Sequence, residues 1–147
     1  MATRCTSPHC TALLAWLLLP AAQAVTLVNG GLESPSAGTY QAVAAGALAN
    51  GWLASGSRNI EFVRVGHTTN GDTIASAAEG EWFVDLNGTQ GPGAISQSIA
   101  TQAGQALAVQ FWMSGNPGPN GVQRSGGPKT AELWWNGALA GSFAYAH

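Results

Sequence analysis

Beyond residue 24, hydrophobic residues occur in short runs divided by Gly, Pro and Asn, and no stretch repeats with the 3.6-residue period of an amphipathic helix. Short apolar runs with turn residues between them are typical of antiparallel strands in a sandwich or barrel. The pattern therefore predicts an all-β domain. Its strands are expected at 25–28, 39–44, 59–65, 81–86, 94–99, 106–114, 130–135 and 138–145.

The predicted strand 106–114, ALAVQFWMS, has the clearest alternation of positions. Successive side chains of a strand point to opposite faces, so every second residue shares a face. The apolar face consists of Leu107, Val109, Phe111 and Met113. The other face consists of Ala108, Gln110, Trp112 and Ser114. We expect a half-buried strand with the apolar set in the core.

A hairpin is predicted at Asn136-Gly137, between the strands 130–135 and 138–145. A type I′ turn needs positive φ at both central residues, and Asn-Gly adopts it readily. Four apolar side chains of the hairpin are then expected to face the core together. They are Leu133, Trp135, Leu139 and Phe143.

The segment 114–129, SGNPGPNGVQRSGGPK, is rich in Gly and Pro and too long for a simple hairpin loop. It is predicted to be either a functional loop or a disordered one. With 147 residues and no internal repeat, the chain is expected to form one domain.

The first 24 residues have the features of a secretory signal peptide in the right order. Arg4 supplies the positive charge, residues 12–19 (ALLAWLLL) the apolar region and residues 22–24 (AQA) the cleavage site. The apolar region is too short to span a bilayer, and a buried N-terminal helix is the alternative. Cleavage would give a secreted or cell-surface domain, 25–147, without cysteine, because both cysteines lie in the leader.

Charged residues make up only 8% of the chain, against about 25% in an average globular protein. Without the leader the chain has four basic and seven acidic residues. It offers no basic patch to neutralise phosphates, so no nucleic-acid partner is expected. We also expect no membrane span in the mature chain. The abundant small and amide residues favour partners bound through neutral hydrogen bonds and aromatic rings.

The sequence stops at residues 144–147 (AYAH), directly after an apolar run and without a closing turn or charged tail. A sandwich does not normally end on an unpaired edge strand. We therefore expect the last strands, and any anchor, to lie beyond residue 147.

Several segments resemble one family when they are taken together. They are LVNGGLESP (27–35), Gly51-Trp52, EFVRVG (61–66), EGEWFVDLNGTQGPGAISQSIAT (79–101), LAVQFWMSGNP (107–117) and PKTAELWWNG (128–137). The combination resembles the choice-of-anchor C family of exported bacterial proteins, and it is similar to the plant cell-wall domain of unknown function with the same β-sandwich. The likeness spans residues 26–143. It departs from the family in a longer loop after SGNP and in missing final strands.

The resemblance implies a galactose-binding-like jelly roll, a β-sandwich in which two antiparallel sheets pack face to face. It also implies an exported domain without catalysis, whose partner is a polysaccharide of a cell wall or extracellular matrix. Jelly-roll carbohydrate-binding modules often hold a structural calcium ion, and Glu33 in NGGLE stands at the place of one ligand. Calcium takes about six to eight oxygen ligands, including backbone carbonyls. A turn residue without metal is the alternative for Glu33.

Glu79, Glu81 and Asp85 are the candidates for acid–base chemistry. A glycosidase needs two carboxylates on either side of the sugar bond. Carboxylates along one strand, without His, Arg or a second acidic cluster, are more typical of a solvated face or a turn cap. We expect Asp85 to bond backbone N–H groups and the domain to have no catalytic residue.

Two further segments have structural interpretations. Asn87-Gly88-Thr89 matches the N-glycosylation sequence, but Asn-Gly is also a turn pair that tolerates left-handed backbone. His67 is interpreted as a solvated loop residue. The sequence contains no Cys/His metal spacing, phosphate loop or serine-hydrolase motif.

Aromatic residues make the strongest case for binding. Trp112 and Trp134 fall on the faces opposite the apolar sets of their strands, with Gln110 and Glu132 nearby. If the two strands are neighbours, sugar rings can stack on this platform while the polar groups bond hydroxyls. Arg124, in the long loop, is a further candidate contact. A core position is the alternative for either tryptophan.

The remaining tryptophans of the predicted strands are expected in the core. They are Trp52, Trp82 and Trp135. Two functions are then compatible with the sequence. The first is polysaccharide binding by an exported domain that is not an enzyme. The second is a structural or adhesive surface protein that acts through protein contacts and was anchored by a lost C-terminal segment.

Overall fold

The computed structural model describes residues 25–69, 72–74, 76–88, 91–115 and 128–145. In these ranges the chain forms ten strands and no helix. The strands are β1 (Tyr40–Ala44), β2 (Leu48–Ala49), β3 (Trp52–Gly56), β4 (Asn59–Arg64), β5 (Thr68–Thr69), β6 (Asp72–Thr73), β7 (Trp82–Asp85), β8 (Gly93–Ser96), β9 (Lys129–Trp135) and β10 (Ala138–Tyr145). Every strand pairing is antiparallel, so the described chain is all-β, as predicted.

Two three-stranded sheets contribute to the hydrophobic core. One has the order β1–β4–β7 and the other the order β2–β3–β8. Ile60 and Phe62, two residues apart on the central strand β4, are fully buried because alternate side chains share a face. Val43, Ala54 and Trp82 complete the buried cluster with side chains from both sheets. This arrangement is consistent with a β-sandwich.

The β9–β10 hairpin forms a separate two-stranded sheet. At its turn, φ is 49° at Asn136 and 80° at Gly137. These are the two positive values that a type I′ turn requires. The predicted hairpin and both of its strands are therefore confirmed.

A bulge decides which side chains of this hairpin share a face. The pairing shifts between Leu139 and Gly141. Beyond the shift, Phe143 pairs with Ala131 and shares the face of the odd-numbered residues of β9, but it is 39% exposed, so its predicted core position is wrong. Leu139, before the shift, pairs with Trp134 and lies on the opposite face. The predicted position of Leu139 is therefore wrong.

The predicted strand 25–28 is wrong as well. Val28 begins a turn, and its backbone N–H and C=O bond the side-chain amide of Gln97 at 2.8 and 3.0 Å. An amide side chain has the same donor and acceptor as a peptide group. The Gln97 side chain therefore makes the two hydrogen bonds to Val28 that a neighbouring strand would make. The sequence pattern also did not indicate β2 and β3, whose short runs are divided by Asn50-Gly51.

The predicted strand 106–114 is not formed. Residues 105–115 have no strand pairing with the described chain. Val109 and Phe111 are 56% and 45% exposed, although both were expected in the core. Phe111 packs edge-to-face on Phe143, with ring centroids 4.9 Å apart. Alternation shows that a segment can form a strand, but pairing also needs a neighbour with available backbone groups, which local sequence does not specify.

The three tryptophans predicted in the core have different environments. Trp82 is 4% exposed, as expected. Trp52 is half-buried, and its Nε1 donates to the backbone oxygen of Asn29 at 2.9 Å. Trp135 is 39% exposed, so its predicted core position is wrong. The buried cluster takes its residues from the two three-stranded sheets and not from the hairpin that carries Trp135.

Some predictions fall on residues that the structure does not describe. They include the signal peptide at 1–24 and the central part of the long loop, 116–127, with Arg124. In the ranges that are described, the chain contains no apolar helix of membrane-spanning length.

Candidate functional site

One face of the β9–β10 hairpin is exposed along its length. It carries alternate residues of β9 and the β10 residues paired with them, because paired residues of an antiparallel ladder point to the same side. This surface, the Trp134 face, consists of Thr130, Glu132, Trp134, Leu139, Ser142 and Ala144. All six residues are exposed.

The Trp134 indole is the largest group on this face. It is 56% exposed, and its Nε1 donates a hydrogen bond to Oε2 of Glu132 at 2.9 Å. Residues two apart on a strand lie about 6.6 Å apart on the same face, so this bond directs the indole along β9. The ring therefore meets solvent with its polar atom already satisfied.

The partner strand adds a hydroxyl and an aliphatic side chain. Ser142 lies directly across from Glu132, and Leu139 lies across from Trp134. Paired side chains of an antiparallel ladder have Cβ atoms about 4.5–5.5 Å apart. The indole is thus accompanied by a carboxylate, a hydroxyl and an alkyl group on one open surface. This mixture of an apolar ring and oriented polar groups is typical of small binding sites.

The other face of the hairpin is partly covered. Phe143 lies there and packs against Phe111. A shallow cleft between the segment 105–115 and β10 is lined mainly by apolar side chains, among them Val109, Met113 and Tyr145. This lining offers packing surface rather than polar chemistry.

The described arrangement does not combine Trp112 and Trp134 in one platform. Trp112 is 77% exposed, and Gln110 is exposed beside it. Their segment meets the hairpin through the Phe111–Phe143 contact, on the face away from Trp134. The strand pairing that would have made the two tryptophans neighbours is not present in the described residues.

Glu33, the predicted calcium ligand, is bonded to the start of β7. Its Oε1 accepts the backbone N–H groups of Glu81 and Trp82 at 3.1 and 3.2 Å. Its own N–H donates to Oδ1 of Asn29 at 2.9 Å. Backbone donors are therefore the groups that offset the negative charge of this carboxylate.

These contacts hold Glu33 without a metal ion. Oε1 of Glu33 uses its lone pairs to accept the two N–H groups. The backbone oxygen of Glu33 already accepts from Nδ2 of Asn29 at 2.7 Å, and that of Asn29 accepts from Trp52 at 2.9 Å. Among the described residues, no three His, Cys, Asp or Glu side chains form a group that could hold a metal. Calcium at Glu33 stays a prediction, and the observed contacts are those of a structural turn residue.

The candidate acids for catalysis have structural partners or lie in solvent. Glu81 forms an ion pair with Arg64. Oδ1 of Asp85 accepts the N–H of Asn87 at 2.8 Å, which is the predicted turn contact. Glu79 is exposed.

A second carboxylate lies beside Asp85. Glu61 of β4 pairs directly with Asp85 of β7, so both side chains point to one face of the sheet. Burial raises the pKa of Asp85 above its usual 3.8 and is the largest effect. The hydrogen bond from Asn87 and the charge of Lys129 lower this pKa, whereas the charge of Glu61 raises it. The sequence analysis did not identify Glu61, because strand register alone brings the two residues together. No local motif signals this pair.

The segment Asn87-Gly88 is a turn, but the predicted left-handed backbone is wrong. Neither residue has a positive φ. Glycine is required at position 88 because a Cβ there would lie 2.7 Å from the backbone oxygen of Asn59. Thr89, which completes the glycosylation sequence, lies outside the described residues.

His67 has more contacts than a solvated loop residue would. Its ring stacks on Tyr40, with centroids 5.3 Å apart. Its Nδ1 lies 3.0 Å from Oγ1 of Thr39. These contacts join the loop after β4 to the start of β1, so His67 has a structural role.

Separate segments of the family resemblance meet at one place. Nδ2 of Asn29 donates to the backbone oxygen of Asn50 at 2.9 Å, and the Trp52 indole donates to the backbone oxygen of Asn29. Nε2 of Gln97 donates to the backbone oxygen of Gly51 at 2.7 Å. Residues far apart in the sequence thus fix one another. At this place, the residues on which the family resemblance rests bond to one another and stabilise the fold. They do not form an open binding site here.

Comparison with known proteins identifies no relative of this chain. No family model and no curated protein matches the sequence, and no solved structure matches the fold. The resemblance to the choice-of-anchor C family therefore remains a prediction made from the residues.

Proposed function

We propose that this chain is an exported, non-catalytic domain that binds polysaccharide of a cell wall or extracellular matrix on its Trp134 face. The observation that carries the proposal is the exposed indole of Trp134, whose N–H is satisfied by Glu132. The predicted leader at residues 1–24 supports export. The antiparallel sheets around one core support a galactose-binding-like jelly roll as the finer architecture.

Sugar recognition suits this combination of groups. The C–H faces of a pyranose ring are apolar and stack on a flat indole. Sugar hydroxyls can donate to the Glu132 carboxylate, which has lone pairs beyond the one that Trp134 uses, and can bond the Ser142 hydroxyl. An open face, rather than an enclosed pocket, admits a chain-like ligand that continues past the protein on both sides.

The proposal assigns binding to Trp134 and gives Trp112 the role of a matched control. Both side chains are exposed, but only Trp134 lies on the polar face of the hairpin. Arg124 stays a predicted contact from the long loop. Replacing either tryptophan should therefore leave the core intact, and only one replacement should affect binding.

The test is affinity electrophoresis through polysaccharide gels, with pull-down on insoluble glucan, pectin and peptidoglycan. We expect wild type to be retained on at least one polysaccharide. Trp134→Ala should bind about five- to twelvefold more weakly, because loss of ring stacking is worth about 1–1.5 kcal/mol. Trp112→Ala should bind like wild type. Both variants should melt within a few degrees of wild type.

Two results would overturn the proposal. One is folded wild-type protein that is retained on none of the polysaccharides. The other is full retention of Trp134→Ala. A large loss of melting temperature in Trp134→Ala would show that this side chain is a packing residue instead.

A structural or adhesive protein is the second candidate function. It is favoured by the apolar side chains that the segment 105–115 leaves in solvent, in a stretch without a charged residue. Val109 and Trp112 are the most exposed of them. Exposed apolar patches on a folded protein are typical of contact surfaces.

Bead aggregation tests this second function. Beads coated with wild-type protein should aggregate if copies of the chain adhere to each other through this segment, and beads coated with a Val109→Ser, Trp112→Ser double variant should not. Dispersed wild-type beads would contradict this adhesive function. The variant keeps the Trp134 face, so its retention on polysaccharide separates the two functions.

A further inference from the structure

We infer that the Trp134 face selects uncharged polysaccharides and rejects those rich in carboxylate or sulfate groups. This inference rests on the proposed function and names its substrate class. Its basis is the charge of the face. Glu132 is the one ionisable side chain among the six residues of the face, and it carries a negative charge at neutral pH.

The described cations lie elsewhere. Arg64 is paired with Glu81. Lys129 falls on the opposite face of β9 from Glu132, by strand parity, and acts on the pKa of Asp85. Arg58 lies in the turn between β3 and β4, which belong to the two three-stranded sheets and not to the hairpin. Within the described ranges, no cation on the Trp134 face can pair with an acidic sugar.

The carboxylate of Glu132 is also fixed in place. Its bond to the Trp134 indole holds it beside the surface on which a sugar ring would stack. A uronate bound there would bring a second negative charge close to the first. Like charges brought together at an interface oppose binding, whereas neutral hydroxyls donate to the same carboxylate favourably. Moving Glu132 away would break its bond to the indole.

The arrangement of the face fits an extended neutral chain. Thr130, Glu132 and Trp134 follow each other along β9 at a repeat of about 6.6 Å. Ser142 and Ala144 flank this row from β10. The result is one stacking ring followed by hydrogen-bonding groups in a line, and the one charged side chain among the six residues of the face is acidic.

The experiment compares polysaccharides that differ in charge but share a backbone. Affinity gels are cast with hydroxyethyl cellulose or carboxymethyl cellulose, and in a second pair with galactan or polygalacturonate. We expect wild type to bind the neutral member of a pair about two- to fivefold more tightly than the acidic member, as a screened exposed charge pair predicts. Raising the salt concentration should narrow this difference.

The matched variant is Glu132→Gln. Its side-chain oxygen can still accept the indole N–H, so the ring keeps its position while the negative charge is removed. We expect the ratio of the neutral to the acidic affinity to fall to about one, because the charge that opposes the acidic member is gone. Equal or tighter binding of the acidic member by wild type would overturn the inference, as would a preference that Glu132→Gln leaves unchanged.

The two proposals fail in distinguishable ways. If wild type binds the acidic gels at least as tightly as the neutral ones, and Trp134→Ala loses this binding, polysaccharide binding is kept and the selectivity is rejected. No retardation of wild type in any of the four gels, or in the pull-downs, would reject polysaccharide binding and the inference with it.

Discussion

The carboxylate of Glu33 accepts the backbone N–H of Trp82 at 3.2 Å. Trp82 is the first residue of β7 and a member of the buried core, whereas Glu33 follows the turn at residues 28–31, near the start of the described chain. The same carboxylate accepts the N–H of Glu81 at 3.1 Å. The Glu33 side chain thus bonds the N-terminal segment to the start of a core strand.

Removal of the Glu33 carboxylate should destabilise the domain. We expect Glu33→Ala to lower the free energy of unfolding by about 1–3 kcal/mol, because two backbone donors lose a charged acceptor. Glu33→Gln should lose less, since its carbonyl oxygen can still accept one bond. Urea unfolding measures both. The wild-type midpoint should be the same in calcium chloride and in EGTA. A calcium-dependent rise that Glu33→Gln lacks would contradict this and support the predicted calcium site.

Gly80 makes room for that carboxylate. Its φ is +62°, and a Cβ at this position would overlap Oε1 of Glu33. Gly46 is the matched control, because its φ is +86° and a Cβ there would meet nothing within 4 Å. Both alanine variants should lose about 1–2 kcal/mol from left-handed backbone. We expect Gly80→Ala to lose about 1 kcal/mol more, because the displaced Glu33 carboxylate loses its bonds to the N–H groups of Glu81 and Trp82. Equal losses in urea unfolding would show that the overlap relaxes freely.

The Gln97 amide should anchor the N-terminal segment. It bonds the N–H and C=O of Val28 and the C=O of Gly51. We expect Gln97→Ala to lower the unfolding free energy by about 1–3 kcal/mol and to speed proteolysis of residues 25–33. Gln102→Ala, at an exposed position, is the control and should change neither quantity. Proteolysis at the wild-type rate in Gln97→Ala would contradict the anchoring role.

The raised pKa of Asp85 makes stability depend on pH. Burial is the main cause, and the folded state therefore binds the proton more tightly than the unfolded chain does. The stabilising effect of protonation is present below the unfolded pKa of 3.8 and is lost as pH rises through the higher folded pKa. Asp85→Asn keeps an oxygen for the Asn87 N–H and removes the titration. Unfolding free energies from about pH 3 to about pH 7 should fall more in wild type than in Asp85→Asn.

Lys129 provides the check on this assignment. Its positive charge lowers the pKa of Asp85, so Lys129→Gln should move the wild-type fall in stability to higher pH. When Lys129→Gln is combined with Asp85→Asn, it should not move the pH at which stability falls. Identical pH profiles for wild type and Asp85→Asn would show that Asp85 is not the group responsible.

Local sequence predicted the parts of the fold that depend on local geometry. Asn136-Gly137 adopts positive φ at both positions, as its residues require. The strand predicted at 59–65 is present as β4. Asp85 caps the turn that follows its strand. In each case a residue's own conformational preference, or the two-residue period of a strand, was sufficient.

The candidate site was predictable only in part. The sequence placed Trp134 and Glu132 on one face, since residues two apart on a strand share a face, and left open whether that face is exposed. The sequence did not settle whether Trp112 lies beside Trp134. The segment 105–115 has the alternation of a strand but no pairing in the described chain. Nothing in the sequence indicated the Glu61–Asp85 pair, whose members meet through strand register.

By itself, then, the sequence determined the all-β class and the hairpin, and it placed Trp134 and Glu132 on one face of their strand. Tertiary structure decided that Leu139 lies beside Trp134, through a bulge, and that the Glu33 carboxylate bonds the backbone of β7. The physical reason is the range of the interactions. Turn angles and side-chain alternation are set by neighbouring residues, whereas register and backbone pairing depend on segments that only the folded chain brings together.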